Sequence, residues 1–139
     1  MTTSGNMTIE QASAQRVTEL EHAFRALAKR VPGMAVDIVG HVRGNRRLVH
    51  PVAGFTVRLH DEAAGVGAAL YVSSAYGELT LWRDADGDGG ALRERFNVRL
   101  ADSFVWGDSE YPSAEPLATD LLGYLQFNFD RVRERDPAS

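Results

Sequence analysis

Cysteine is absent from the 139 residues. That one absence removes disulfides, thiol catalysis, zinc–thiolate sites and iron–sulfur clusters together. It fits a reducing compartment, and a cytoplasmic location is the expectation. Lysine is nearly absent too, since Lys29 is the only one among 15 basic residues. This arginine bias, with the Ala, Gly and Val content, suggests a GC-rich and therefore bacterial coding sequence. No apolar run approaches the roughly 20 residues that a membrane helix needs, so no membrane association is expected. The stretch Met1 to Met7 has no basic residue followed by an apolar block and does not read as a secretory signal. Residues 1–8 are expected to be a disordered leader. Excess positive charge is lacking as well: the net charge is −4 and the pI about 5.5. That argues against nucleic acid as a partner, local basic patches aside. Catalytic signatures are missing. Ser73-Ser74 and Ser103 sit in no G-x-S-x-G elbow. The histidines form no H-x-H or H-E-x-x-H spacing, and Gly65-Val66-Gly67 lacks the following helix that a phosphate loop requires.

What remains is an ordinary globular composition, 44% apolar and 24% charged, in a length that normally makes one domain with a core of its own. Thr8 and Gln11 are placed for a capping box. Val17, Leu20, Phe24, Leu27 and Val31 then recur at helical spacing. Glu21 and Arg25 lie one turn apart, Lys29 and Arg30 suit the C-terminal end of the dipole, and Pro32-Gly33 stops the run. The spacing predicts a helix over about residues 9–31.

The period then changes to two. Met34, Val36, Ile38 and Val42 alternate with Asp37, His41 and Arg43, and Gly44-Asn45 reads as a turn. Leu48-Val49 begins a returning strand that Pro51 interrupts. Phe55, Val57 and Leu59 alternate with Thr56, Arg58 and His60. Ala68, Leu70 and Val72 alternate with Ala69, Tyr71 and Ser73. Leu79 and Leu81 alternate with Thr80 and Trp82. Phe96, Val98 and Leu100 alternate with Arg95, Asn97 and Arg99 on a strand running from Leu92 to Leu100, and Ser103 to Trp106 is a candidate edge segment. From Ser113 onward Leu117, Leu121, Tyr124, Leu125, Asn128 and Val132 form a second helical stripe, with Pro116 in its first turn and Asp136-Pro137 at its end.

Short gaps between strands favour an antiparallel meander. The expected fold is α+β, a two-layer sandwich in which an antiparallel sheet of about five strands carries the N-terminal and C-terminal helices on one face. The order is α-β-β-β-β-β-α within a single domain spanning 9–136.

Three constellations are candidates for function. The first is Asp84-Ala85-Asp86-Gly87-Asp88-Gly89-Gly90, whose Asp84, Asp86 and Asp88 stand at alternate positions before a glycine, as in a D-x-D-x-D-G calcium loop. The expected twelfth-position Glu is Arg95, and the flanks read as strands. The stretch therefore fits a hairpin tip, with a weak Ca²⁺ site as the alternative. The second is the polar face of the sheet, which gathers Arg58, Tyr71, Trp82, Arg95 and Arg99. Arginine forks and flat aromatic rings are the side chains of interfaces. The other reading is a solvated face on which arginine stems cover Trp82, and a one-residue slip in register would invert the set. The third is the histidine pair His41 and His60, with Asp37 or Asp61 nearby, which would suit a cleft holding a small ligand or a general base. His22 and His50 stand alone. The loop from Trp106 to Tyr111 either docks a partner or packs over the sheet end. Phe127, off the stripe of its helix, is exposed or faces a second copy of the chain in a homodimer.

The leading expectation is a non-catalytic protein-binding domain acting through the exposed sheet face. In its architecture it is similar to bacterial immunity proteins and secretion chaperones, a likeness of class alone. The alternatives are a small-ligand-binding protein or enzyme using His41 and His60, and a domain stabilised by Ca²⁺ at the acidic turn.

Overall fold

The computed structural model describes residues 8–39 and 54–134. The expected turn at Gly44-Asn45, the strand at Leu48-Val49, His41, Arg43, Val42, His50, the 1–7 leader and the stop at Asp136-Pro137 lie outside the described residues. The elements are helix α1 (Ile9–Ala28), strands β1 (Met34–Val39), β2 (Gly54–Asp61), β3 (Val66–Ser73), β4 (Gly77–Arg83), β5 (Leu92–Phe96), β6 (Val98–Arg99), β7 (Phe104–Trp106) and β8 (Ser109–Tyr111), and helix α2 (Ala114–Glu134). Strands β1 to β5 form one antiparallel sheet in sequence order, and β6 to β8 form a second, smaller one. The α+β class, the five-strand meander and the two flanking helices are as the sequence patterning implies.

Helix α1 opens on the capping box. The Gln11 N–H donates to Thr8 Oγ1 at 3.0 Å, and the Thr8 N–H donates to Gln11 Oε1 at 2.9 Å. The helix stops at Ala28, earlier than the predicted end near residue 31. Arg30 and Val31 bond instead to the carbonyls three residues back, Leu27 and Ala28. Pro32 is the cause, since it disfavours the α conformation for the residue before it and the last turn tightens. The Glu21–Arg25 pair, one turn apart in the sequence, is asymmetric: Glu21 is 2% exposed, and its carboxylate accepts from Arg25 Nε.

Both helices pack on the same face of the sheet and against each other. The core between the layers is made of Leu20, Phe24, Phe55, Leu70, Leu121 and Leu125, all fully buried. Burying each such side chain contributes about 1.5–3 kcal/mol. Phe24 meets Phe55 across the layers with ring centroids 5.6 Å apart. Ile38 keeps the inward phase of β1 but is half exposed. No described helix is long and apolar enough to cross a membrane.

The stretch from Leu92 to Leu100 is not one strand. β5 ends at Phe96, Asn97 belongs to neither strand, and β6 pairs with β7 in the second sheet, Val98 opposite Trp106 and Arg99 opposite Val105. The alternation continues through the break, because Val98 and Leu100 are fully buried. A change of sheet preserves the inward–outward period while changing the neighbours. The edge segment expected at Ser103 to Trp106 is the middle strand of this second sheet.

Candidate functional site

The register of the large sheet puts its outward side chains in three cross-strand rows. One row runs Asp37, Thr56, Tyr71, Glu78 and Arg95; the next runs Ala35, Arg58, Ala69, Thr80 and Arg93; the third holds His60, Gly67 and Trp82. Side chains alternate along each strand, so neighbouring rows stand about 7 Å apart. No described helix or strand packs on this face.

The first row ends in an aromatic group. Tyr71 meets Tyr76 with ring centroids 5.6 Å apart, and the Arg95 guanidinium lies 4.3 Å from the Tyr76 ring centre. Burial pushes the Tyr71 hydroxyl above its ordinary value, the neighbouring Tyr76 adds to the rise, and a hydrogen bond with Ser73 opposes it. The third row holds a second aromatic group. Trp82 lies flat over Gly67, where a Cβ would come within 2.1 Å of its ring. Its ring also lies nearly parallel to His60, at 16° with centroids 6.4 Å apart. An open pocket of about 370 Å³ beside Trp82 is lined by Thr80, Arg93, Asp84 and Gly87, and the middle row between the aromatic groups presents the small side chains of Ala69 and Thr80. Arg58 stands at one end, 3.4 Å from Asp37. Arg93 stands at the other, with no ion pair among the described residues.

His60 is held in place by the acidic turn. Its Nε2 lies 3.0 Å from Asp84 Oδ2 and 3.2 Å from Oδ1. The Asp84 N–H donates to the Gly65 carbonyl at 2.8 Å, which ties the β4–β5 turn to the β2–β3 turn. The aspartate partner of His60 is therefore Asp84, in place of Asp37 or Asp61. Asp37 faces Arg58, and Asp61 lies 3.7 Å from Arg133 on α2. Among the described residues no third His, Asp or Glu joins this pair in a group fit to hold a metal. His41, the other histidine of the expected pair, lies outside the described residues.

The acidic stretch is the hairpin tip between β4 and β5, built from two single 3-10 turns, 84–86 and 88–90. Gly87 joins them at a φ of +68°, the left-handed region that glycine enters without cost. Asp84 turns toward His60, Asp86 is exposed, and the Asp88 side chain lies outside the described residues.

Two of the expected neighbours are corrected. Arg99 belongs to the second sheet and shares no row with Trp82. Arg95 lies opposite Glu78, and Trp82 is four residues further along β4, about 13 Å away. The arginine on the row beside Trp82 is Arg93. Its parity with Arg95 was legible in the sequence, as was the position of Tyr76 directly before a strand. The approach of Asp84 to His60 across 24 residues had no local signal.

The Trp106 loop packs inward. Trp106, Phe96 and Tyr124 form a cluster with centroids 5.4 to 6.5 Å apart. The Tyr111 hydroxyl donates to Asp120 Oδ2 at 2.7 Å. Phe127 is 63% exposed, with the Arg131 guanidinium 5.7 Å from its ring centre. No family model, curated protein or solved structure matches the chain.

Proposed function

We propose that the chain is a non-catalytic protein-binding domain whose contact surface is the open face of the large sheet. The observation that carries this reading is the pairing of two aromatic groups on one open face. Trp82 and His60 stand on one side and Tyr71 and Tyr76 on the other, with Arg58 and Arg93 in the row between them. Flat aromatic area beside arginine forks is the composition of interface hot spots. The groups are pre-organised. Trp82 rests on Gly67, and Asp84 fixes His60, so little side-chain freedom is lost on docking. The pocket beside Trp82 is open to solvent, which suits a protein surface better than a small molecule, since small molecules are normally enclosed. The subclass that fits is a bacterial immunity-type or chaperone-type partner acting in the cytoplasm, an analogy of architecture that a toxin or secretion gene beside its own would strengthen.

The test is capture of the partner by the purified chain from its source organism, followed by titration with variants. Trp82→Ala is expected to weaken binding by about thirty-fold or more, the range of an interface hot spot. Arg58→Glu acts in the same direction, while Arg99→Glu in the second sheet leaves the affinity within about two-fold. Binding that survives Trp82→Ala and Arg58→Glu together overturns the assignment of this face.

A further inference from the structure

Strand β5 (Leu92–Phe96) is an edge. It pairs with β4 alone, and among the described residues no backbone hydrogen bond reaches its outer side. The edge has defined ends. The Asp84–Gly90 turn closes one, and the second sheet closes the other, where the Gly107 N–H donates to the Asn97 carbonyl at 2.8 Å. Between them lies a slot of about 17 Å, the length of a five-residue strand. On the helix side of the slot is an open cleft of about 440 Å³, in which the apolar Leu79, Leu81, Leu92 and Val132 are joined by Glu94, Arg131 and Glu134. Leu92 is 59% exposed there, beside the partly buried Leu81.

We propose that β5 accepts an extended segment of a partner protein as a sixth strand, and that this segment has a specific charge pattern. It carries acidic side chains at two alternate positions, no acid between them, and apolar side chains on the flanks. The inference rests on the protein-binding reading above and names the chemistry of the partner's contact.

The pattern follows from register. In an added strand, directly opposite residues share a face and pair most strongly. Arg93 and Arg95 point to the open face, so the two residues opposite them are acidic. Arg93 has no ion pair among the described residues, and Arg95 is held by a ring rather than a carboxylate. Glu94 points to the helix side, opposite Leu79, and disfavours an acid at the central position. Leu92 and the cleft floor receive the flanking apolar side chains. Strand addition supplies affinity through main-chain bonds and specificity through such alternate contacts.

The same residues disfavour a second copy of this chain. A symmetric antiparallel pairing that keeps each face in place must centre on one residue. Centred on Arg93 or Arg95 it sets arginine against arginine. Centred on Glu94 it sets Glu94 against Glu94, and Arg93 against Arg95 on both sides. Centred on Leu92 or Phe96 it leaves only that one residue of β5 opposite β5, with every other partner beyond the end of the strand. Like charges directly opposite destabilise a ladder, and charge on an edge is how sheets resist self-association. A hetero-partner of opposite pattern meets no such barrier.

The experiment is a display library of fully randomised seven-residue segments, panned on the full chain and on an Arg93→Glu/Arg95→Glu variant. The wild type is expected to enrich acids at two alternate positions with apolar flanks. The variant is expected to replace those acids with Lys or Arg and to lose about ten-fold or more in affinity for the wild-type peptides, as opposite-charge pairs become like-charge pairs. Hydrogen exchange at the amides of residues 92–96 slows when such a peptide is bound. Peptides that show no alternation, that ignore the charge reversal, or that fail to emerge overturn the proposal. Peptides that protect Tyr71 and Trp82 but leave β5 unchanged overturn the edge assignment while keeping the open-face reading. A concentration-dependent dimer that the double variant abolishes gives the edge to a second copy and overturns it as well.

Discussion

Substituting Gly67 by Ala tests the geometry of the open face at its centre. A Cβ at this position would lie 2.1, 2.4 and 2.8 Å from three atoms of the Trp82 ring. No real contact is that short, so the ring must leave the sheet. Trp82 is only partly buried and borders solvent, so it has somewhere to go. Lifting it forfeits about half of its contact area, roughly 100 Å² or about 2.5 kcal/mol at 25 cal/mol per Å². Replacing glycine in a strand returns about 0.5–1 kcal/mol through lower backbone entropy in the unfolded chain. The net loss is then about 1.5–2 kcal/mol, a fall in Tm of roughly 5–7 °C for a chain of this size. Gly77 is the control. An added Cβ there meets the Phe96 ring at the same 2.1 Å, but Phe96 is wedged against Tyr124 and Trp106 at 5.6 and 6.5 Å. It cannot swing out, and the cost approaches the overpacking limit of about 3 kcal/mol. Thermal melts of both variants, with the two indole N–H resonances followed by NMR, decide the matter. Gly67→Ala should move the Trp82 resonance and leave that of Trp106 in place. A Gly67→Ala protein with unchanged or raised Tm and an unmoved Trp82 resonance would refute the packing of tryptophan on glycine.

Burial lifts the hydroxyls of Tyr71, Tyr111 and Tyr124 above 10.0, with the Asp120 contact adding to it at Tyr111 and the Glu94 charge at Tyr124. A raised value means that the native state holds these protons more tightly than the unfolded chain. The associated stability is complete below pH 10 and is lost as pH climbs through the native values. Urea melts at pH 9 and pH 11 should show the drop, and Tyr111→Phe should reduce it while costing about 1 kcal/mol at pH 8; equal stability at both pH values would contradict the burial of these hydroxyls. Because Asp84 turns to His60, Ca²⁺ is expected to leave the melting midpoint where a chelator leaves it; a saturable upward shift would restore the acidic turn as a cation site by mass action.

The parts of the fold legible in the sequence are those governed by nearest-neighbour geometry. The capping box at Thr8 and Gln11, the stripes of α1 and α2, and the alternation of β2, β3 and β4 depend on periods of 3.6 and 2, which any reader of the chain can count. The same counting placed Arg58, His60, Tyr71 and Trp82 on one face. It failed where the chain kept its period and changed its neighbours. Arg99 has the parity of Arg95, but the break at Asn97 carries it into another sheet. Spacing anticipated the Glu21–Arg25 contact, but one turn of separation says nothing about how deeply each partner is buried.

By itself, then, the sequence determined the class of the fold, the order of its elements and the face to which most of its polar and aromatic residues belong, because these follow from local backbone periodicity. Register and long-range approach were decided only by tertiary structure. Which arginine stands beside Trp82, which aspartate holds His60 and which strand is left with an open edge depend on how β2, β3, β4 and β5 align. That alignment is set by packing against the two helices across many residues, and no stretch of the chain encodes it alone.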